Sequence, residues 1–185
     1  MTLAILMVVA GVIYRLVPHP MNVAPLGALA LLGGMYFNKR LAVWVPLAML
    51  AISDVMLNTR MGYPVIYWPR AIDYVAFAAI GVLGMWLRTR PVRWKVAGAL
   101  ATPLFFFLLS NLGVWLFGLN LADAFYPKTL TGLIDCYAAG VPFLRGTLIG
   151  DYAFMAVFAA GAWVVNQSPM ILTSTRLRRL PSNSP

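Results

Sequence analysis

Apolar residues fall in six blocks separated by short polar breaks: Leu3–Val17, Val23–Phe37, Leu41–Leu57, Ala71–Leu87, Val96–Phe117 and Thr147–Val165. Each block predicts a helix. A full membrane crossing needs about 20 residues. The first two blocks are short by that measure, so they either cross a thin bilayer or extend into their flanks. The first has no basic leading segment and no small-x-small cleavage site, so it does not read as a signal peptide. Ala30/Gly34, Ala97/Ala101 and Ala156/Ala160 are spaced four apart, which lets helix backbones approach. The predicted fold class is an all-α membrane protein, a bundle of six transmembrane helices with both termini cytoplasmic. Residues 1–166 form one transmembrane domain in this reading, and 167–185 a polar, basic, mobile tail.

Composition removes the soluble alternatives. Of 185 residues, 62% are hydrophobic and only 10% charged, with mean hydropathy +0.82. A soluble domain of this size exposes too much of its surface to hide that apolar content. A soluble enzyme, a disordered chain and a disulfide-framework secreted domain are therefore excluded. Fourteen Lys and Arg against five acids give a net charge of +9. No soluble basic segment studded with aromatics accompanies it, so nucleic acid is not an expected partner. The bilayer is.

The basic residues set the orientation. Lys39/Arg40, Arg88–Lys95 and Arg176–Arg179 all fall on one side of a six-span chain, together with both termini. Basic loops are retained in the cytoplasm, which predicts a multi-pass protein of the bacterial inner membrane. The opposite side collects the unusual chemistry. Its three breaks are Pro18–Asn22, a second loop that follows Ser53-Asp54, contains Asn58 to Arg70 and ends at Asp73, and a third from about Gly118 to Gly146, with Asp54, Ser110 and Asn111 about one turn inside span ends. All five Asp, the single histidine His19 and the single cysteine Cys136 lie there. Polar groups at membrane depth face a cavity or a partner. Asn22, Asp54, Ser110, Asn111, Trp115, Tyr126 and Thr129 are the expected substrate-binding residues, with Trp68 and Tyr137 as further aromatic walls. Asp73 and Asp151 suit helix-start caps equally well.

One cysteine rules out an internal disulfide and a cysteine-built zinc site. Cys136 is expected to pack as a small hydrophobe. The sharper alternative makes it, or His19, a soft axial ligand to a metal such as the cobalt of a corrinoid. No resident metal or cofactor is expected. The sequence has no HExxH, GxSxG, phosphate loop or Gly-rich dinucleotide fingerprint. An enzyme is not the expected class.

The segments Arg15–Gly34, Ser53-Asp54, Ser110–Trp115, Tyr126–Leu130, Cys136–Phe143 and Thr147–Asp151 together resemble a family of small uncharacterised bacterial membrane proteins. That family is similar in size, span number and topology to the substrate-binding (S) components of energy-coupling-factor vitamin transporters. The resemblance implies a six-helix protein that captures a vitamin-like small molecule from outside, with separate scaffold and ATPase subunits as partners. S components often carry an alanine-x-x-x-alanine pattern on helix one. The first block here has no such pair, and Ala30/Gly34 in the second is the nearest. The alternative function is a structural membrane subunit of a cell-envelope or rod-shape morphogenesis complex, which needs no ligand.

Overall fold

The computed structural model describes residues 2–64, 68–118 and 126–177. Six helices make up the described chain: α1 (Thr2–Leu16), α2 (Leu26–Tyr36), α3 (Lys39–Met61), α4 (Trp68–Leu87), α5 (Val92–Phe117) and α6 (Leu130–Leu177). Four of them contain segments long and apolar enough to cross a membrane: Lys39–Met61, Arg70–Leu87, Val92–Phe117 and Leu130–Gly161. The all-helical class is as the apolar blocks predict, and these four segments give the chain its membrane character.

Helix α2 is the centre of the architecture. It has only 11 residues, and nine of them, Leu26–Leu31 and Gly33–Met35, are buried. A helix apolar on every side belongs inside a bundle. It packs against α3, α4, α5 and α6, while α1 lies against α3. Tyr14 of α1 meets Phe154 of α6 edge-on, ring centroids 5.0 Å apart, and closes the circle of outer helices. The tightest approach is to α4. A Cβ on Gly84 would strike the Leu31 carbonyl and come within 2.9 Å of the Gly34 Cα. Ala30 and Gly34 thus serve contacts inside the chain, whereas Ala97, Ala101, Ala156 and Ala160 lie exposed on α5 and α6.

The helix ends are secured at both poles. At one, the Asn38 side chain accepts from Leu41 N at 2.9 Å and starts α3. Arg88, just beyond α4, donates to Gly34 O at 2.9 Å and also to Phe37 O, satisfying carbonyls that the end of α2 leaves open. At the other pole Gly62 takes φ 72° and ends α3 in the left-handed conformation, with Tyr63 N bonded to Asn58 O at 2.9 Å.

Two loop assignments from the sequence need correction. The second loop is shorter than expected: α3 continues to Met61 and α4 begins at Trp68, so Asn58, Thr59 and Arg60 are helical positions, while Asp54 and Asp73 lie on helices as their apolar blocks predict. The third is helical from Leu130 onward, because α6 is one helix of 48 residues that also takes in residues 167–177 of the expected tail. At 1.5 Å per residue it is about 70 Å long, well beyond one bilayer core. Asp123, the side chains of Trp68, Arg176, Arg178 and Arg179, and residues 178–185 lie outside what is described.

Candidate functional site

Polar chemistry gathers at the pole away from Lys39 and Arg88, around the start of α2. Arg15, in the last turn of α1, donates to Asp54 Oδ1 of α3 at 3.0 Å and to Ser53 Oγ. Ser53 in turn donates to Met49 O at 2.6 Å. Arg70 of α4 places its Nε 3.1 Å from Asp54 Oδ2 and its Nη1 3.0 Å from Asp73 Oδ2. The Asp54 side chain is 4% exposed, against 12% for Arg15 and 28% for Arg70. One buried carboxylate therefore joins three helices through two guanidiniums. The Arg15 arm is also a hydrogen bond, whereas the Asp54 Oδ2–Arg70 Nε contact is an ion pair without hydrogen-bond geometry, so the cluster is held on that side by charge alone.

A second carboxylate organises the start of α2. Pro25 occupies the cap position and offers no side-chain acceptor to the first amides. Asp151, 123 residues away on α6, supplies it: Ala28 N donates to Asp151 Oδ1 at 3.2 Å. Negative charge is favoured at a helix N-terminus. Gly27 makes the approach possible, since any Cβ there would collide with the carboxylate. Asp151 thus caps α2. The sequence suggested a cap for its own helix, but α6 begins 21 residues earlier, at Leu130.

Between these two carboxylate centres lies a cavity of about 600 Å³. Its polar wall includes Arg15, Arg70, Asp73, Ser110, Thr147 and Asp151. Its apolar wall is led by Phe77, Phe106 and Phe143. Phe77 and Phe106 stack with centroids 4.6 Å apart and planes at 22°. His19 and Asn22, from the loop between α1 and α2, complete one side. A pocket of this volume, apolar with a few convergent polar groups, has the make-up of a small-molecule site.

The expected site residues divide into three groups. Asn22 and Ser110 line the cavity, and Asn111 lines an adjoining hollow of about 110 Å³ that shares both with it. Asp54 stands one layer behind, holding the two arginines. Trp115, Tyr126 and Thr129 are not among the lining residues. Trp115 Nε1 donates to Pro127 O at 3.0 Å, and Thr129 Oγ1 accepts from Gly132 N at 3.1 Å, capping α6. Tyr137 is likewise a staple, donating to Leu108 O at 2.8 Å. Cys136 is buried and donates to Asn111 O at 3.4 Å, and the His19 Nδ1 lies 2.8 Å from Val17 O. The sequence reading missed Arg15, Arg70, Thr147 and the three phenylalanines. Arg15 and Arg70 carried a usable signal, since each is a charge inside or beside an apolar block.

A polytopic helical membrane protein with a mixed polar and aromatic cavity at one pole is the class that this fold and site define. The chain belongs to a family of unknown function, DUF6580, whose profile matches residues 1–173. No curated protein and no solved structure matches it.

Proposed function

We propose that this chain is a membrane transport component that captures a small, vitamin-like molecule from outside the cell, in the manner of an S component. The observation that carries this reading is the 600 Å³ cavity with a polar network on one wall and stacked rings on the other. A structural subunit has no use for such a space. The reading includes six crossings, both termini in the cytoplasm and residence in the bacterial inner membrane. Arg88 reaches the Phe37 carbonyl, so the Lys39/Arg40 and Arg88–Lys95 groups share one pole. Basic residues favour the cytoplasm, which turns the cavity outward. A reporter fused after Pro185 is then active only in its cytoplasmic form. A periplasm-active C-terminal fusion contradicts the orientation.

Scaffold and ATPase subunits would supply energy, as the S-component reading implies. The Ala30/Gly34 pair does not serve their docking, because Gly34 is buried against α4. The deciding experiment is a mass-spectrometric survey of small molecules retained by the detergent-solubilised chain. One compound at near-stoichiometric occupancy is expected, and adding it back should raise Tm. Ligand at a hundredfold excess over Kd stabilises by about 2.7 kcal/mol. An empty cavity, with cell-wall elongation proteins co-purifying instead, would favour the morphogenesis alternative.

A further inference from the structure

The charges around the cavity do not balance evenly, and the imbalance names a ligand class. Arg15 and Arg70 invite an anion at first sight. Both are already engaged, Arg15 by Asp54 and Arg70 by Asp54 and Asp73. Two guanidiniums and two carboxylates make that cluster neutral. An anionic ligand would compete with Asp54 and Asp73 for these guanidiniums and meet the like charge of both carboxylates.

Asp151 is different. It is 3% exposed, lines the cavity, and forms no ion pair among the described residues. Among the described residues its partners are backbone amides at the start of α2, Ala28 at 3.2 Å and Gly27, and no cationic side chain. A helix N-terminus is equivalent to roughly half a positive charge, so the carboxylate is only partly compensated. His19, the remaining basic ring on the wall, has its Nδ1 directed at the Val17 carbonyl. Phe77, Phe106 and Phe143 line the same cavity, and ring faces tolerate a nearby cation.

We infer that the captured molecule is a small organic cation, an ammonium or amidinium group on an apolar ring-sized body, and that its charged nitrogen is held by Asp151. The inference rests on the capture reading above and deepens it. The carboxylate keeps its backbone amides and uses remaining lone pairs to accept from the ligand's N–H, and the body lies along the phenylalanines. A carboxylate of the same shape would place a second acid against Asp151, and a neutral isostere would forgo the ion pair, so both should bind more weakly.

The test uses the full chain in detergent, with benzamidine, benzamide and benzoate as matched probes at equal millimolar concentration. Benzamidine alone should raise Tm. Asp151→Asn keeps an oxygen for the Ala28 amide and removes the charge. It should fold with a Tm close to wild type and bind benzamidine at least about 30-fold more weakly, as expected for loss of one partner of a buried charge pair. Equal shifts from benzoate or benzamide, a benzamidine shift that survives in Asp151→Asn, or no shift from any probe would each overturn the cation assignment. The probe comparison in the wild-type chain decides the matter even if Asp151→Asn fails to fold. The retained-molecule survey separates the two levels. A neutral or anionic retained compound ends this inference and leaves capture standing, whereas an empty cavity ends both.

Discussion

Asp54→Ala should be among the most damaging single substitutions in the chain, lowering unfolding free energy by about 3–5 kcal/mol, the usual result of breaking a buried ion pair from one side. The greater share comes from Arg15. Its side chain is 12% exposed and among the described residues has no other carboxylate, only the Ser53 hydroxyl. Arg70 is better placed, since it keeps Asp73 at 3.0 Å and 28% of its side chain is exposed. The damage should therefore be repaired by removing the stranded charge. Arg15→Met combined with Asp54→Leu should recover most of the loss, because well-packed apolar residues replace buried ion pairs at little cost. Equilibrium unfolding in mixed micelles, followed by helix content, measures both. If Asp54→Ala falls within about 0.5 kcal/mol of wild type, the range of an ordinary surface change, the network does not join α1, α3 and α4 as described.

Much of this molecule was legible in its pattern of apolar residues, and the failures have physical causes. The α-helical class and the places of α3, α4 and α5 follow from block length and hydropathy. The start of α6 did not. Residues 130–146 mix Thr131, Asp135, Tyr137 and Arg145 with apolar neighbours, and this dilution read as a loop. In the structure Asp135 and Arg145 lie exposed on a helix that Thr129 caps. Sorting polar residues along the chain picked out Asn22 and Ser110, which line the cavity, together with Trp115 and Thr129, which do not. Trp115 and Tyr137 have N–H and O–H groups that must be satisfied near the membrane, and backbone carbonyls satisfy them. The cavity's rings are phenylalanines, which have no such demand and leave no mark in a sequence already rich in them. Asp151 shows the same limit. A carboxylate that caps a helix 123 residues earlier has no local signature.

Gly150→Val should be comparably severe, for a reason found in the contact between α6 and the loop that leads into α2. That loop crosses α6 where the helix has no side chains. A Cβ on Gly150 would come within 2.7 Å of the Ala24 nitrogen and 3.0 Å of the Val23 Cα, and one on Gly146 would strike the Met21 carbonyl. These neighbours are backbone atoms and cannot move aside as a flexible side chain can. Overpacking a close contact costs about 1–3 kcal/mol and sometimes more. The rigid partner puts Gly150→Val at about 3 kcal/mol, the upper end of that ordinary range. The effect should also reach the site. Displacing the loop from α6 separates Ala28 from Asp151, the next residue along the helix, so the variant should lose ligand-induced stabilisation along with intrinsic stability. Gly161→Val supplies the comparison, since nothing lies within 4 Å of a Cβ there. Helix propensity treats the two glycines alike, and replacing either by valine is neutral or mildly favourable on that ground alone. Whatever separates the variants in thermal unfolding is therefore the contact with the loop. Equal stability for Gly150→Val and Gly161→Val would mean that α6 does not hold the entrance of α2 in place, and the cap at Asp151 would lose its structural basis with it.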